Sequence, residues 1–177
     1  TMSTNQLKAR WKAGKAAVNG WLAIPSGFSA EVMAQCGFDS VTVDMQHGVQ
    51  DYQSMIQCFQ AMDKHPVTKL VRVPWNEPGI IGKALDGGAW GIIAPMINTR
   101  EQAEAMVSAC RYPPHGTRGS AFGVAHTDYR IGDVPADIAA ANARTMVIVK
   151  LETRKGCDNA DEIMSVPGVD IGFVGHT

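Results

Sequence analysis

With 177 residues, 45% of them hydrophobic, and a formal net charge of −1, the chain is long enough to bury a sizeable core and has no basic field to attract nucleic acid. No apolar run approaches the roughly 20 residues that span a bilayer. The opening stretch TMSTNQLKARWKAG also lacks the apolar centre of a signal peptide, so a cytoplasmic protein with no membrane partner is expected.

In chain order, short and continuously apolar runs at 20–24, 40–43, 68–73, 91–94, 145–151 and 171–174 read as strands covered on both faces. Helix punctuation fills the intervals. Asn76 is placed to cap a helix with Pro78 in its first turn and Gly87-Gly88 at its end. Thr99 with Gln102 forms a capping-box pattern opening 100–109, and Asn159 with Glu162 suggests a short helix stopped near Pro167.

Gly37, Gly88 and Gly168 each precede a new apolar strand, as C-cap glycines do at helix-to-strand joints. Such alternation predicts a parallel α/β sheet in one domain spanning 1–177, and an irregular seventh strand is expected near 118–122. A complete eight-fold TIM (β/α)8 barrel takes about 250 residues, so the expectation is an incomplete barrel lacking its C-terminal units.

Ionisable side chains sit at or just past the ends of these strands, where a parallel barrel gathers distant residues onto one rim. Asp44 and His47 follow the second run, forming an acid beside a base that works near neutral pH, although an isolated D-x-x-H is more often a polar loop. Arg72 ends the third run and could bind a carboxylate, an enolate or a phosphate, or form a structural salt bridge with a loop carboxylate such as Asp44. Glu152 follows the fifth run as a candidate ligand for a hard divalent ion; alternation puts Lys150 on the same face one layer below, so a Lys-Glu ion pair is the alternative.

His65, His115 and His126 read as solvated loop residues. Gly116-Thr117-Arg118-Gly119 is a weak anion-binding pattern. Cys36, Cys58, Cys110 and Cys157 are widely spaced, without a C-x-x-C pair, and read as small buried or semi-buried thiols.

Together, several ordered segments resemble the HpcH/HpaI aldolase family of metal-dependent 4-hydroxy-2-oxo-acid aldolases, in the pyruvate/phosphoenolpyruvate barrel superfamily. They are Glu31 with Gly37-Phe38-Asp39, Val43-Asp44-Met45-Gln46-His47-Gly48, Val71-Arg72-Val73-Pro74-Trp75-Asn76, Leu85-Asp86-Gly87-Gly88-Ala89 and Ala94-Pro95-Met96. Arg111-Tyr112-Pro113-Pro114-His115-Gly116-Thr117-Arg118-Gly119, Leu151-Glu152-Thr153, Pro167-Gly168-Val169-Asp170 and Phe173-Val174-Gly175 continue the match.

The resemblance implies a (β/α) barrel lyase that cleaves a 4-hydroxy-2-oxo acid, such as a 4-hydroxy-2-oxoheptanedioate-like substrate, to pyruvate and an aldehyde. It implies that His47 is the proton acceptor, that Asp86 raises its basicity, that Arg72 steadies transition-state charge and that Asp44 orients neighbouring groups. Spacing alone would make Asp86 a structural residue at a helix end. Glu152 would hold magnesium, manganese or cobalt with a second carboxylate just beyond Thr177, and Thr177 would contact the pyruvate carboxylate. Gln46 stands where the family usually has glutamate, and Lys150 where a glutamine commonly contacts substrate. A homo-oligomer, often a hexamer, is also implied. The residues leave two rivals open: a Schiff-base aldolase using Lys150, and a non-catalytic barrel that binds or assembles.

Overall fold

In the computed structural model, which describes residues 5–175, six parallel strands alternate with helices in the order expected from the sequence. They are β1 (Asn19–Leu22), β2 (Ser40–Asp44), β3 (Thr68–Arg72), β4 (Gly91–Ala94), β5 (Met146–Leu151) and β6 (Ile171–Val174), and they pair in sequence order. The helices are α1 (Gln6–Lys12), α2 (Gly27–Ala34), α3 (Tyr52–Met62), α4 (Pro78–Asp86), α5 (Arg100–Cys110), α6 (Val134–Arg144), α7 (Arg154–Asp158) and α8 (Ala160–Met164). Residues 118–122 form no strand; they belong to an irregular crossing between α5 and α6 that contains a 3-10 turn at Ala125–Thr127.

Why the elements stop where they do is visible at their ends. Gly37, Gly88 and Gly168 have φ of +86°, +105° and +100°, the left-handed geometry that a side chain resists. The Thr99 and Gln102 capping box opens α5 as predicted, with both reciprocal hydrogen bonds present. The cap of α4 is Glu77 rather than Asn76: its carboxylate accepts from the backbone N–H groups of Gly79 and Ile80 at 2.8 and 3.0 Å. Asn76 instead donates across to the Gln102 carbonyl.

Strand alternation divides the sheet into two faces. Leu22, Val41, Val43, Val71, Ile92, Ala94, Val147, Val149 and Leu151 point outward and pack under the helices in the main core. The other face is concave. Leu70, Ile93, Met146 and Ile148 form a second apolar cluster there, and Leu7 of α1 closes it from below. The sheet curls enough for Trp21 on β1 to meet Phe173 on β6, with ring centroids 5.9 Å apart, although these strands are at opposite ends of the sheet order. An apolar cavity of about 210 Å³ lies between them.

The concave face is tightly packed at Gly91. A Cβ there would lie 2.6 Å from Leu70 Cδ2 and 3.0 Å from Met146 Cβ. Gly91→Ala is therefore expected to destabilise the fold by about 1–3 kcal/mol through overpacking. Urea denaturation checks this, and an unchanged midpoint would mean that the layer has slack.

Candidate active site at the strand ends

Four of the expected residues, Asp44, Arg72, Lys150 and Glu152, lie where the concave face ends, in two ion pairs. Asp44 and Arg72 are register partners on β2 and β3. Arg72 Nε donates to Asp44 Oδ1 at 2.8 Å and Nη2 to Oδ2 at 2.6 Å, a forked pair whose side chains are only 9% and 6% exposed. The salt bridge left open by the sequence is therefore formed. The guanidinium also stacks 4.9 Å from the Trp21 ring, whose Nε1 donates to Asp44. Burial pushes the Asp44 carboxyl up, but Arg72, the Gln46 N–H and Trp21 outweigh it and hold the group below the ordinary aspartate range.

Asp44 also shapes the turn that follows it. Its Oδ1 accepts from the backbone N–H groups of Gln46 and His47 at 3.1 and 3.5 Å, and Gly48 then takes a φ of +84°. This turn leaves His47 exposed beside the rim. Among the described residues no hydrogen bond reaches its imidazole. Among the described residues the buried Gln46 Oε1 has no hydrogen-bond partner.

Glu152 and Lys150 form the second pair, with Nζ 2.6 Å from Oε2 and both side chains 10% exposed. The other carboxylate oxygen accepts from the Met96 N–H at 2.8 Å. Met96 has a φ of +57°, a left-handed conformation that costs a non-glycine residue about 1–2 kcal/mol and aims its N–H at Glu152. Burial raises the Glu152 pKa, but the Lys150 and Met96 hydrogen bonds, with the charges of Lys150 and Arg72, bring it below the usual glutamate range.

Asp86 is placed differently. It ends α4, as its spacing suggested, and its Oδ1 is 2.7 Å from Nη2 of Arg118. Arg118 is buried, with its guanidinium 4.4 Å over the Tyr112 ring. None of the Asp86 hydrogen bonds reaches His47 among the described residues.

His126, expected in solvent, is instead 4% exposed: Nε2 shares a 3.0 Å hydrogen bond with the Tyr112 hydroxyl, and Nδ1 lies 3.8 Å from Asp86. Burial, with the charge of Arg118, lowers its pKa to about 4. No periodic pattern marks this cluster, because Arg118 and His126 lie in irregular chain. His65 is partly buried beside Glu31, while His115 is exposed as expected. Cys58 and Cys110 are buried, but Cys36 and Cys157 are exposed rather than semi-buried. Thr177 and the adjoining metal-site position lie outside the described residues.

A divalent ion of the expected kind needs several oxygen ligands. Glu152 is a suitable hard donor whose Oε2 already faces a cation, the Lys150 ammonium. It fits as one ligand; among the described residues no three His, Cys, Asp or Glu side chains converge on a metal position. No helix among those residues is long and apolar enough to cross a membrane.

The sequence pattern of the HpcH/HpaI aldolase/citrate lyase family matches residues 20–177. The chain is 38% identical over 173 residues to a hydroxypyruvate/pyruvate aldolase of Rhizorhabdus wittichii, covering 98% of this chain and 67% of that protein. It is 36% identical over 171 residues to a 4-hydroxy-2-oxo-heptane-1,7-dioate aldolase of Escherichia coli, covering 97% and 65%. A solved HpcH/HpaI aldolase/citrate lyase family protein of Burkholderia cenocepacia superposes with a TM-score of 0.89 at 35% identity, covering 97% of this chain and 69% of that one. The chain thus spans about two thirds of the length of these relatives.

Proposed function

Because the chain belongs to the HpcH/HpaI aldolase/citrate lyase family, we propose that its protein is a carbon-carbon lyase that cleaves a 4-hydroxy-2-oxo acid to pyruvate and an aldehyde. The observation that most supports this reading is the pairing of Arg72 and Lys150 with Asp44 and Glu152 on one barrel rim, because fixed cations of this kind can stabilise the charge of an enolate.

In the cleavage direction His47 takes the C4 hydroxyl proton, the C3–C4 bond breaks, and its electron pair passes into the enolate of pyruvate. Arg72 has its Nε and Nη2 on Asp44, leaving the Nη1 edge for the growing oxyanion. Protonation at C3 then releases pyruvate. Asp44 holds both Arg72 and the His47 turn, so it is a positioning residue for the two. Glu152 would hold the divalent ion, which would supply Lewis acidity toward the keto and carboxylate oxygens of the substrate. By the family resemblance Asp86 would support His47 as the base, while its Oδ1 is held 2.7 Å from Arg118. Residue Thr177 remains a candidate for the pyruvate carboxylate, within a single barrel domain that assembles as a homo-oligomer.

The test is pyruvate release from a 4-hydroxy-2-oxo acid by the full-length protein. Chelation should abolish turnover and added magnesium, manganese or cobalt restore it; no turnover in the presence of these ions overturns the reading. The Schiff-base alternative draws on the burial of Lys150, but an ammonium held by a carboxylate at 2.6 Å has no lone pair to offer a ketone. Borohydride with pyruvate is accordingly expected to leave the mass of the protein unchanged, and a reduced adduct on Lys150 would favour the rival.

A further inference from the structure

We infer that Lys150 is a resident cation competing with a divalent ion for Glu152, so that the lysine sets how tightly this protein binds metal. The inference rests on the reading that Glu152 is a metal ligand. Its physical basis is the way the rim is filled.

Among the described residues the rim carries two carboxylates, Asp44 and Glu152, and each is matched by its own cation, Arg72 and Lys150. Both oxygens of Asp44 are taken by Arg72, so Glu152 is the carboxylate on which an incoming ion would have to settle. Its Oε1 is fixed by the Met96 N–H, and its Oε2 is the atom that Lys150 holds. An ion bound through Oε2 must either displace the ammonium or sit beside it, and two cations a few ångströms apart in a partly dry site repel strongly.

Lys150 has little room to retreat. Its side chain is 10% exposed, its Nζ lies 5.8 Å from the centre of the Phe173 ring, and a Cβ at Gly175 would overlap its Cε. Among the described residues it forms no other ion pair. Displacement would therefore leave a confined ammonium without its carboxylate, and that cost is charged against metal binding.

The test is manganese binding to the metal-stripped, full-length protein, followed by titration calorimetry. Lys150→Met and Lys150→Gln remove the charge while keeping most of the side-chain length, and Lys150→Arg keeps the charge. Both neutral variants should bind manganese at least roughly tenfold more tightly than wild type, about 1.4 kcal/mol, while Lys150→Arg should not. Circular dichroism confirms that each variant is folded, and the two neutral variants stand in for one another if one fails.

Equal or weaker binding by the folded neutral variants overturns the inference. Undiminished binding by Glu152→Gln, or no binding by any folded variant, instead overturns the metal reading of Glu152, and the inference falls with it. None of these outcomes depends on turnover.

Discussion

Replacing Arg72 with alanine is expected to cost about 3–5 kcal/mol of stability and to lower retro-aldol turnover by roughly 10²–10³-fold. The two losses have separate causes. Stability falls because Asp44, buried with its side chain 6% exposed, would lose both forked hydrogen bonds and keep only the weaker backbone and Trp21 donors. An unpaired buried carboxylate is far costlier than a pair removed whole. Turnover falls because the guanidinium no longer faces the developing enolate.

Arg72→Lys separates the two effects. It restores a positive charge but not the planar fork that spans both Asp44 oxygens, so part of the stability should return with much less of the activity. Thermal melts and pyruvate-release kinetics on both variants check this. Full activity in Arg72→Lys would show that a point charge suffices and that the fork is only structural.

The second large effect is acid sensitivity through His126. Its pKa falls from 6.5 in the unfolded reference to about 4 in the folded chain, because burial and the Arg118 charge disfavour the imidazolium more than Asp86 supports it. Below the unfolded value the unfolded chain binds a proton that the folded chain refuses, so acid favours unfolding. This contribution is complete above pH 6.5 and is lost as the pH falls toward 4; it amounts to about 3 kcal/mol. Asp44 and Glu152, whose pKa values are lowered, add their losses only at more acid pH, as the medium falls below the ordinary carboxylate range.

Denaturation midpoints between pH 7 and 4 should therefore slope downward in wild type and flatten in His126→Asn, which cannot take up the proton. A slope unchanged in that variant would place the acid-labile group elsewhere.

Much of the fold was legible because it depends on local chemistry. Continuous apolar runs marked strands buried on both faces, and the left-handed glycines at 37, 88 and 168 marked the joints between layers. Boundaries were less certain where neighbouring residues competed for one role: Glu77 took the α4 cap from Asn76 because two carboxylate oxygens can serve two N–H groups together. The supposed strand at 118–122 had apolar residues but no neighbouring edge on which to pair.

The site was legible to the same degree. Asp44, Arg72, Lys150 and Glu152 follow from strand alternation, and both of their ion pairs were among the expected alternatives. Asp86 shows where this stops. Its partner Arg118 is 32 positions away in an irregular crossing, a distance no periodicity can bridge. His126 looked solvated for the same reason: the burying groups, Tyr112 and Arg144, come from segments on either side of it. Met96 contributes only a backbone N–H, which leaves no mark on the residue type.

The most direct measurement is proton NMR of pyruvate in deuterium oxide with the full-length protein. An enolate-handling rim should exchange the C3 hydrogens of pyruvate for deuterium faster than buffer, without any aldehyde present, and Arg72→Ala should remove that exchange while the protein stays folded. Exchange no faster than buffer with folded wild-type protein, or equally fast in folded Arg72→Ala, would contradict it.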